Sequence, residues 1–380
     1  MNIVAVKETV AGERRVPMTP QTAGRFVRLG AQVAVESGLG ASIHVPDSAY
    51  EAAGARVGQR EELLAAADVL LTVQPPALDV VARLRPGAVT AGFVDPFFNH
   101  ELVRALARGR VSALCVELIP RTTYAQKMDA LSSQASLAGY AAVIVAARHS
   151  HKAFPMMSTP AGTISPARVF VVGAGVAGLQ AIATAKRLGA RVEAYDTRPV
   201  VKEQVQSLGA KFVELDVGET GQTEQGYAKE LTPEQLERQR QQMAAVCANS
   251  DVIITTAQVF GRRAPLIVTE QMVAGMKPGS VIVDLAASTG GNVAGSRPGE
   301  VVVTPNGVTI LGLSDLPSSV ALDASQMYAN NLYNLFEHAW DGEAKALKLA
   351  EPDEIIGGCL LTHDGAIRDE RVRAALEATA

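Results

Sequence analysis

Val169-Phe-Val-Val-Gly-Ala-Gly-Val-Ala-Gly178 is an apolar, largely β-branched run that breaks into three glycines at the spacing G-x-G-x-x-G. A helical stretch, Leu179–Leu188, follows it. A second strand-like run, Arg191–Tyr195, then ends at Asp196. Three glycines alone are weak evidence. A strand before them, a helix after them and an acid about twenty residues on together describe a dinucleotide-binding βαβ unit. Gly173 permits the tight turn, Gly175 lets the backbone approach a pyrophosphate, and Gly178 lets the helix pack closely on the strand. The helix start, from Val176 onward, offers N–H groups and a partial positive charge to phosphate.

Asp196, with Thr197 beside it, is placed to accept hydrogen bonds from the adenine-ribose hydroxyls. A carboxylate there repels a 2′-phosphate, so NAD(H) is expected over NADP(H). Arg198 pulls the other way, because an arginine close behind can cradle a 2′-phosphate. A surface salt bridge is its plainer reading.

On either side of this unit, short β-rich runs alternate with helical stretches from the N-terminus. Ile3–Val6, Val33–Glu36, Val69–Val73, Val89–Val94 and Ala113–Leu118 read as buried strands, with Pro20–Leu29, Arg60–Ala67 and Glu101–Ala107 as helices between them. Met128–Arg148 reads as a long connecting helix. A second alternation adds Val169–Val172, Arg191–Tyr195, Val252–Thr255, Ser280–Asp284 and Val308–Leu311. This pattern predicts an α/β protein of two doubly wound, Rossmann-like parallel-sheet domains with nucleotide in the cleft between them. Ser325–Trp340 reads as a helix leading to a polar tail without strands, packed back on the first domain. The expected division is therefore residues 1–131 with 321–380, and residues 132–320. Val217–Tyr227 is small, polar and glycine-containing, which reads as a mobile loop.

The chain has 380 residues, 48% of them hydrophobic and 19% charged, with a formal net charge of −4. This balance suggests no affinity for nucleic acid or an anionic membrane surface. The three cysteines, Cys115, Cys247 and Cys359, are too scattered for a disulfide framework or a zinc site, so no metal and a reducing, cytoplasmic setting are expected. The N-terminus does not read as a signal peptide. No uncharged apolar stretch reaches the ~18 residues of a membrane span, so work at a membrane is expected to go through a partner.

Longer segments carry a resemblance. Arg121-Thr-Thr-Tyr-Ala-Gln-Lys-Met-Asp-Ala-Leu-Ser-Ser-Gln-Ala135, Leu137-Ala-Gly-Tyr140, Phe154-Pro-Met-Met157, Ala181–Gly189, Val201–Val205, Gly226–Glu230, Met276–Ser280 and Asp284–Ala286 together resemble the NAD(H)-binding domain I of proton-translocating transhydrogenase. The resemblance implies direct hydride transfer between NADH on this chain and NADP⁺ on a partner, with no acid–base residue needed. It also implies a homodimer docked at the cytoplasmic face of the inner membrane. Partner subunits would supply NADP(H) binding and the membrane-spanning proton channel. A chain ending at Ala380 without a span fits the separate-subunit form.

By that resemblance, Gln126 contacts the nicotinamide ribose and reaches toward the partner's cofactor. Asp129 and Ser132 hold the nicotinamide carboxamide, and Arg121 lies near the diphosphate and ring. The three-residue spacing of Gln126, Asp129 and Ser132 puts them near one side of a helical entry. By spacing alone, Asp129 or Ser132 equally reads as a helix cap. Gly226 and Tyr227 resemble the tip of a loop that closes over nucleotide, and Gln239 matches a position near the adenine end. Gln258 replaces a usually apolar residue beside the adenine pocket, and Tyr124 stands where an arginine is common.

Alanine dehydrogenase is the related alternative. Its substrate lysine falls at Thr72, its catalytic histidine at Asp95 and a further aspartate at Ser288, ahead of Gly290 and Gly291; only its N-terminal arginine persists, as Arg15. Thr72 brings no charge and Asp95 is an anion facing an anionic substrate, which disfavours reductive amination. An amino-acid dehydrogenase with an altered site and a non-catalytic NAD(H)-sensing module stay as the alternatives to a transhydrogenase subunit.

Overall fold

The computed structural model describes residues 1–215, 231–313, 315–349 and 353–378. The chain divides into two compact units, Met1–Gln134 with Pro317–Ala380, and Ala135–Leu316.

The first unit is built on β1 (Asn2–Ala5), β2 (Gln32–Glu36), β3 (Arg56–Gly58), β4 (Val69–Leu71), β5 (Val89–Gly92) and β6 (Ser112–Cys115). They lie in the order β6-β5-β4-β1-β2-β3, all parallel. The strand order reverses between β1 and β4, the switch point at which doubly wound sheets place ligands.

The second unit carries a hairpin of β7 (Met157–Thr159) and β8 (Gly162–Ile164). Its sheet contains β9 (Arg168–Val172), β10 (Arg191–Tyr195), β11 (Lys211–Phe212), β12 (Val252–Thr255), β13 (Val281–Asp284), β14 (Val301–Val303) and β15 (Thr309–Leu311). The order is β11-β10-β9-β12-β13-β15-β14, with only β14 antiparallel among these described strands, and the switch point lies between β9 and β12.

Strand periodicity explains why this sheet is buried on both faces. Successive side chains point to opposite sides. Val169, Val171, Val252, Ile254, Val281 and Val283 fill one core, while Phe170, Val172, Ile253 and Ile282 fill the other.

Several boundaries differ from those the sequence predicts. β4, β5 and β6 end at Leu71, Gly92 and Cys115, short of the expected Val73, Val94 and Leu118. The residues beyond them turn out of the sheet, and Val116–Leu118 forms a 3₁₀ turn. Burial continues past the last ladder bond, so an apolar run overstates the strand.

The tail is also corrected. After the helix Ala321–Ala339 come β16 (Trp340–Asp341), β17 (Ala346–Leu347), the helix Glu354–Cys359, β18 (Leu360–His363) and β19 (Ala366–Ile367). β18 pairs antiparallel with β6 and buries Leu360, Leu361 and Thr362. The tail thus extends the first sheet, through apolar runs too short to stand out beside polar neighbours.

The long helix spans Ala130–His149, with Met128 in a preceding 3₁₀ turn, Tyr124–Met128. It is long and apolar enough to cross a membrane by length and composition, which corrects the expectation that no stretch is. Serine, glutamine and glycine within it concealed the feature. Ala141, Ala142, Val143 and Ala146 are packed in the second unit's core.

Candidate functional site

At the second unit's switch point, β9 runs into the glycine turn. Gly173 has φ +95°, a backbone region that favours glycine, and its N–H donates to the Tyr195 carbonyl at 2.8 Å. The Thr256 hydroxyl, just past β12, donates to the Gly173 carbonyl at 3.1 Å. A Cβ on Gly178 would collide with that same carbonyl, so the helix Val176–Arg187 seats only with glycine there. A Cβ on Gly175 would meet only the Arg198 Nη2, at 4.0 Å. Gly178 therefore serves packing, whereas Gly175 leaves open space where a pyrophosphate would approach. Val176 is exposed at the helix start, and Gly175 caps that helix without a side-chain hydrogen bond among the described residues. The cradle fits a dinucleotide phosphate.

Asp196, at the end of β10, closes this site. Its Oδ2 accepts the Ala174 N–H at 2.7 Å and its Oδ1 accepts the Arg198 N–H at 2.8 Å. The Arg198 side chain adds two more bonds. Thr197 is half-buried between them. The salt-bridge reading of Arg198 holds, with the difference that the pair is largely buried.

Gln239 lies on the helix Pro233–Asn249 and is buried, in the same unit as Tyr195, whose phenol burial pushes up to about 12. Gln258 follows β12, is exposed, and donates through its amide to the Leu285 carbonyl at 3.1 Å. Gly226 and Tyr227 lie outside the described residues.

In the first unit, Gln126 is exposed on the 3₁₀ turn, Asp129 follows that turn, and Ser132 lies in the first turn of the Ala130–His149 helix. Asp129 Oδ1 accepts the Ser132 N–H at 2.9 Å and Oδ2 accepts the Ser132 hydroxyl at 2.6 Å. The capping arrangement is thus present, and it brings these two candidates together. Arg121 is exposed, five residues before Gln126.

Several residues at strand ends went unassigned in the sequence. Asn292 is fully buried; its side chain accepts the Ala257 N–H and donates to the Ala257 and Pro265 carbonyls. Asp284, at the end of β13, accepts the Asn292 N–H and the Thr255 hydroxyl. Both brace the loop after β12. For Asp284, its place at the end of a predicted strand was the available signal.

The first unit's own switch point holds a second polar cluster. Glu8, just past β1, accepts the Val73 N–H at 2.6 Å. Burial pushes its carboxyl up to about 7, against the opposing Val73 hydrogen bond and with help from the neighbouring Glu13 charge. Arg15 is buried, donating from Nε and Nη2 to Glu13 and from Nη1 to Gln134. This bears out the structural ion-pair reading of Arg15. Burial opposes ionisation of Glu13, but Arg15, Ser318 and Gln74 outweigh it and hold the carboxyl down to about 2. Thr72 is buried, and Asp95 sits exposed at φ +52° after β5.

Comparison with known proteins matches this architecture. The family described as alanine dehydrogenase/PNT, N-terminal domain, matches residues 4–138, and its C-terminal domain matches residues 142–370. The first of the separately encoded pieces of NAD(P) transhydrogenase subunit alpha, from Rickettsia prowazekii, is 44% identical, over 99% of this chain and 98% of the relative. The corresponding protein from Rhodospirillum rubrum is 46% identical, over 97% of each. The crystal structure of transhydrogenase from Sinorhizobium meliloti superposes with a TM-score of 0.87 at 43% identity, covering 97% of this chain and all of that one. An L-alanine dehydrogenase structure shares the fold, with a TM-score of 0.84 at 22% identity. The chain therefore belongs to the alanine dehydrogenase/PNT family, on its NAD(P) transhydrogenase alpha-subunit branch.

Proposed function

We propose that this chain is the NAD(H)-binding subunit of a proton-translocating NAD(P) transhydrogenase. The observation that carries the reading is the Asp196 carboxylate fixed beside the open Gly175 cradle at the switch point of the second sheet. An anchored acid there accepts ribose hydroxyls and disfavours a 2′-phosphate, so the nucleotide is NAD(H). Relatives named for the first piece of NAD(P) transhydrogenase subunit alpha, matched end to end, support the activity and imply further subunits.

When bound, NADH supplies a hydride that passes directly to NADP⁺ held by the partner subunit. The chain's own residues bind, orient and exclude water. Asp129 accepts and Ser132 both donates and accepts, a set that complements a carboxamide's donors and acceptor. Gln126 reaches toward the partner's cofactor from its exposed turn, and Arg121 serves the diphosphate and ring. Val176, Thr197, Arg198, Gln239 and Gln258 line the remainder of the nucleotide site, with Gly226 and Tyr227 on its closing loop. Thr72 and Asp95 offer no cation for a keto-acid carboxylate, which weighs against an amino-acid dehydrogenase.

Further partners are a membrane-spanning proton-channel subunit, through which the chain sits at the cytoplasmic face of the inner membrane, and a second copy of itself. The β7–β8 hairpin supports the homodimer, because Met156, Met157 and Ile164 are 66%, 43% and 48% exposed on or beside one short element.

The test is cyclic transhydrogenation by the full chain with an NADP(H)-loaded partner. Hydride transfer is expected, and Gln126→Ala should slow it by about 10- to 100-fold, the cost of losing alignment at the reacting centre. An unchanged rate overturns the role of Gln126. NADH binding without any transfer marks a sensing module, and ammonia-dependent reduction of pyruvate marks an amino-acid dehydrogenase.

A further inference from the structure

We infer that Asn331 and Asn334, on the Ala321–Ala339 helix, are positioning residues that hold the Gln126 turn in the geometry hydride transfer requires. The inference rests on the role of Gln126 given above.

The turn Tyr124–Met128 is a short 3₁₀ element with Gln126 and Lys127 exposed. Such turns have poor internal hydrogen-bond geometry and depend on outside support. Here the support converges on one atom. The Lys127 carbonyl, one residue past Gln126, accepts the Asn331 Nδ2 at 3.0 Å and the Asn334 Nδ2 at 2.9 Å. Two amide donors saturate both lone pairs of that oxygen. The two asparagines are three residues apart, so they share one helix face.

Asn331 does more. It is buried, and its Oδ1 accepts the Ser133 hydroxyl at 2.7 Å. One side chain therefore ties the residue after Gln126 to the residue after Ser132, spanning the whole candidate segment. Ser133 also accepts from Gln134, which in turn accepts from Arg15 at 2.9 Å. The Tyr124 ring meets His338 of the same helix edge-on, with centroids 5.5 Å apart. Asparagine is a poor helix former in a helix interior. Two of them aimed at one carbonyl make sense as a clamp on the turn rather than as helix-forming residues.

The test uses the full chain with its NADP(H)-loaded partner, comparing Asn331→Asp, Asn334→Ala and the double variant. Asn331→Asp keeps an acceptor for Ser133 and removes the donor to Lys127. Asn334→Ala, at a half-buried site, is the mild variant that preserves folding. Amide hydrogen exchange over residues 121–129 should quicken about five- to tenfold per lost bond. Hydride transfer should fall about tenfold while the NADH Kd moves by less than about twofold, because alignment and not affinity is lost. Unchanged exchange overturns the clamp. Faster exchange with unchanged transfer also overturns the positioning role. In that case Gln126→Ala separates the two ideas: slowed transfer leaves the role of Gln126 standing, and unslowed transfer removes it as well.

Discussion

Arg198 grips Asp196 through two parallel charge-assisted hydrogen bonds, Nε to Oδ1 at 2.9 Å and Nη2 to Oδ2 at 2.8 Å, with the two side chains only 15% and 6% exposed. The same carboxylate is the proposed ribose acceptor. The arginine that could have welcomed a 2′-phosphate is thus committed to the acid that repels one.

Asp196→Ala removes the ribose acceptor and deprives Arg198 of this partner. NADH affinity should fall and NADPH affinity should rise, moving their ratio by about tenfold or more. Fluorescence titration with each nucleotide measures it. An unchanged ratio would show that Asp196 does not set the preference.

Gly175 and Gly178 should separate binding from folding. A Cβ at Gly178 runs into the Gly173 carbonyl, whereas one at Gly175 meets only the end of the flexible Arg198 side chain. Gly178→Ala should cost about 1–3 kcal/mol of stability, as overpacking does. Gly175→Ala should leave stability within about 0.5 kcal/mol and weaken NADH binding. Denaturant melts and nucleotide titrations of both variants decide it, and equal effects on both properties would contradict the division.

The exposed β7–β8 hairpin is the proposed dimer element. Ile164→Asp places a charge among Met156, Met157 and Ile164, which are exposed in the single chain. Sedimentation should show dimers dissociating while circular dichroism stays unchanged, since the hairpin is a two-stranded sheet of its own. Dimers that survive at micromolar concentration would place the interface elsewhere.

Glu8 and Glu13 should act on stability in opposite directions with pH. Glu8 keeps its proton in the folded state up to about pH 7, against an ordinary value of 4.5. The folded state then binds more protons between those limits, so this residue's contribution falls as pH rises from 4.5 to 7. Glu13 is held down to about 2, so its contribution is present above 4.5 and lost as pH falls toward 2. Glu8→Gln mimics the protonated acid. It should remove a loss on the order of 2 kcal/mol across pH 4.5–7, read from urea midpoints over that range. A wild type and variant with parallel profiles would refute the assignment.

The glycine turn, the switch-point strands and the acid at Asp196 were all legible in the sequence, because each rests on local chemistry: strand periodicity, the φ that glycine permits, and a fixed distance along a βαβ unit. The segment holding Gln126, Asp129 and Ser132 was found by resemblance, and spacing alone left it indistinguishable from a helix cap. What the sequence could not display was anything joining distant stretches. β18 entered the first sheet through a few apolar residues in a polar tail. Arg15 found Gln134, and Asn331 reached Lys127 across 204 residues. Such pairings depend on which backbone atoms the fold brings within hydrogen-bonding reach of a side chain, and no periodicity encodes that distance. Local conformational preference wrote the nucleotide fingerprint into the chain, and only tertiary packing decided which side chains hold the Gln126 turn.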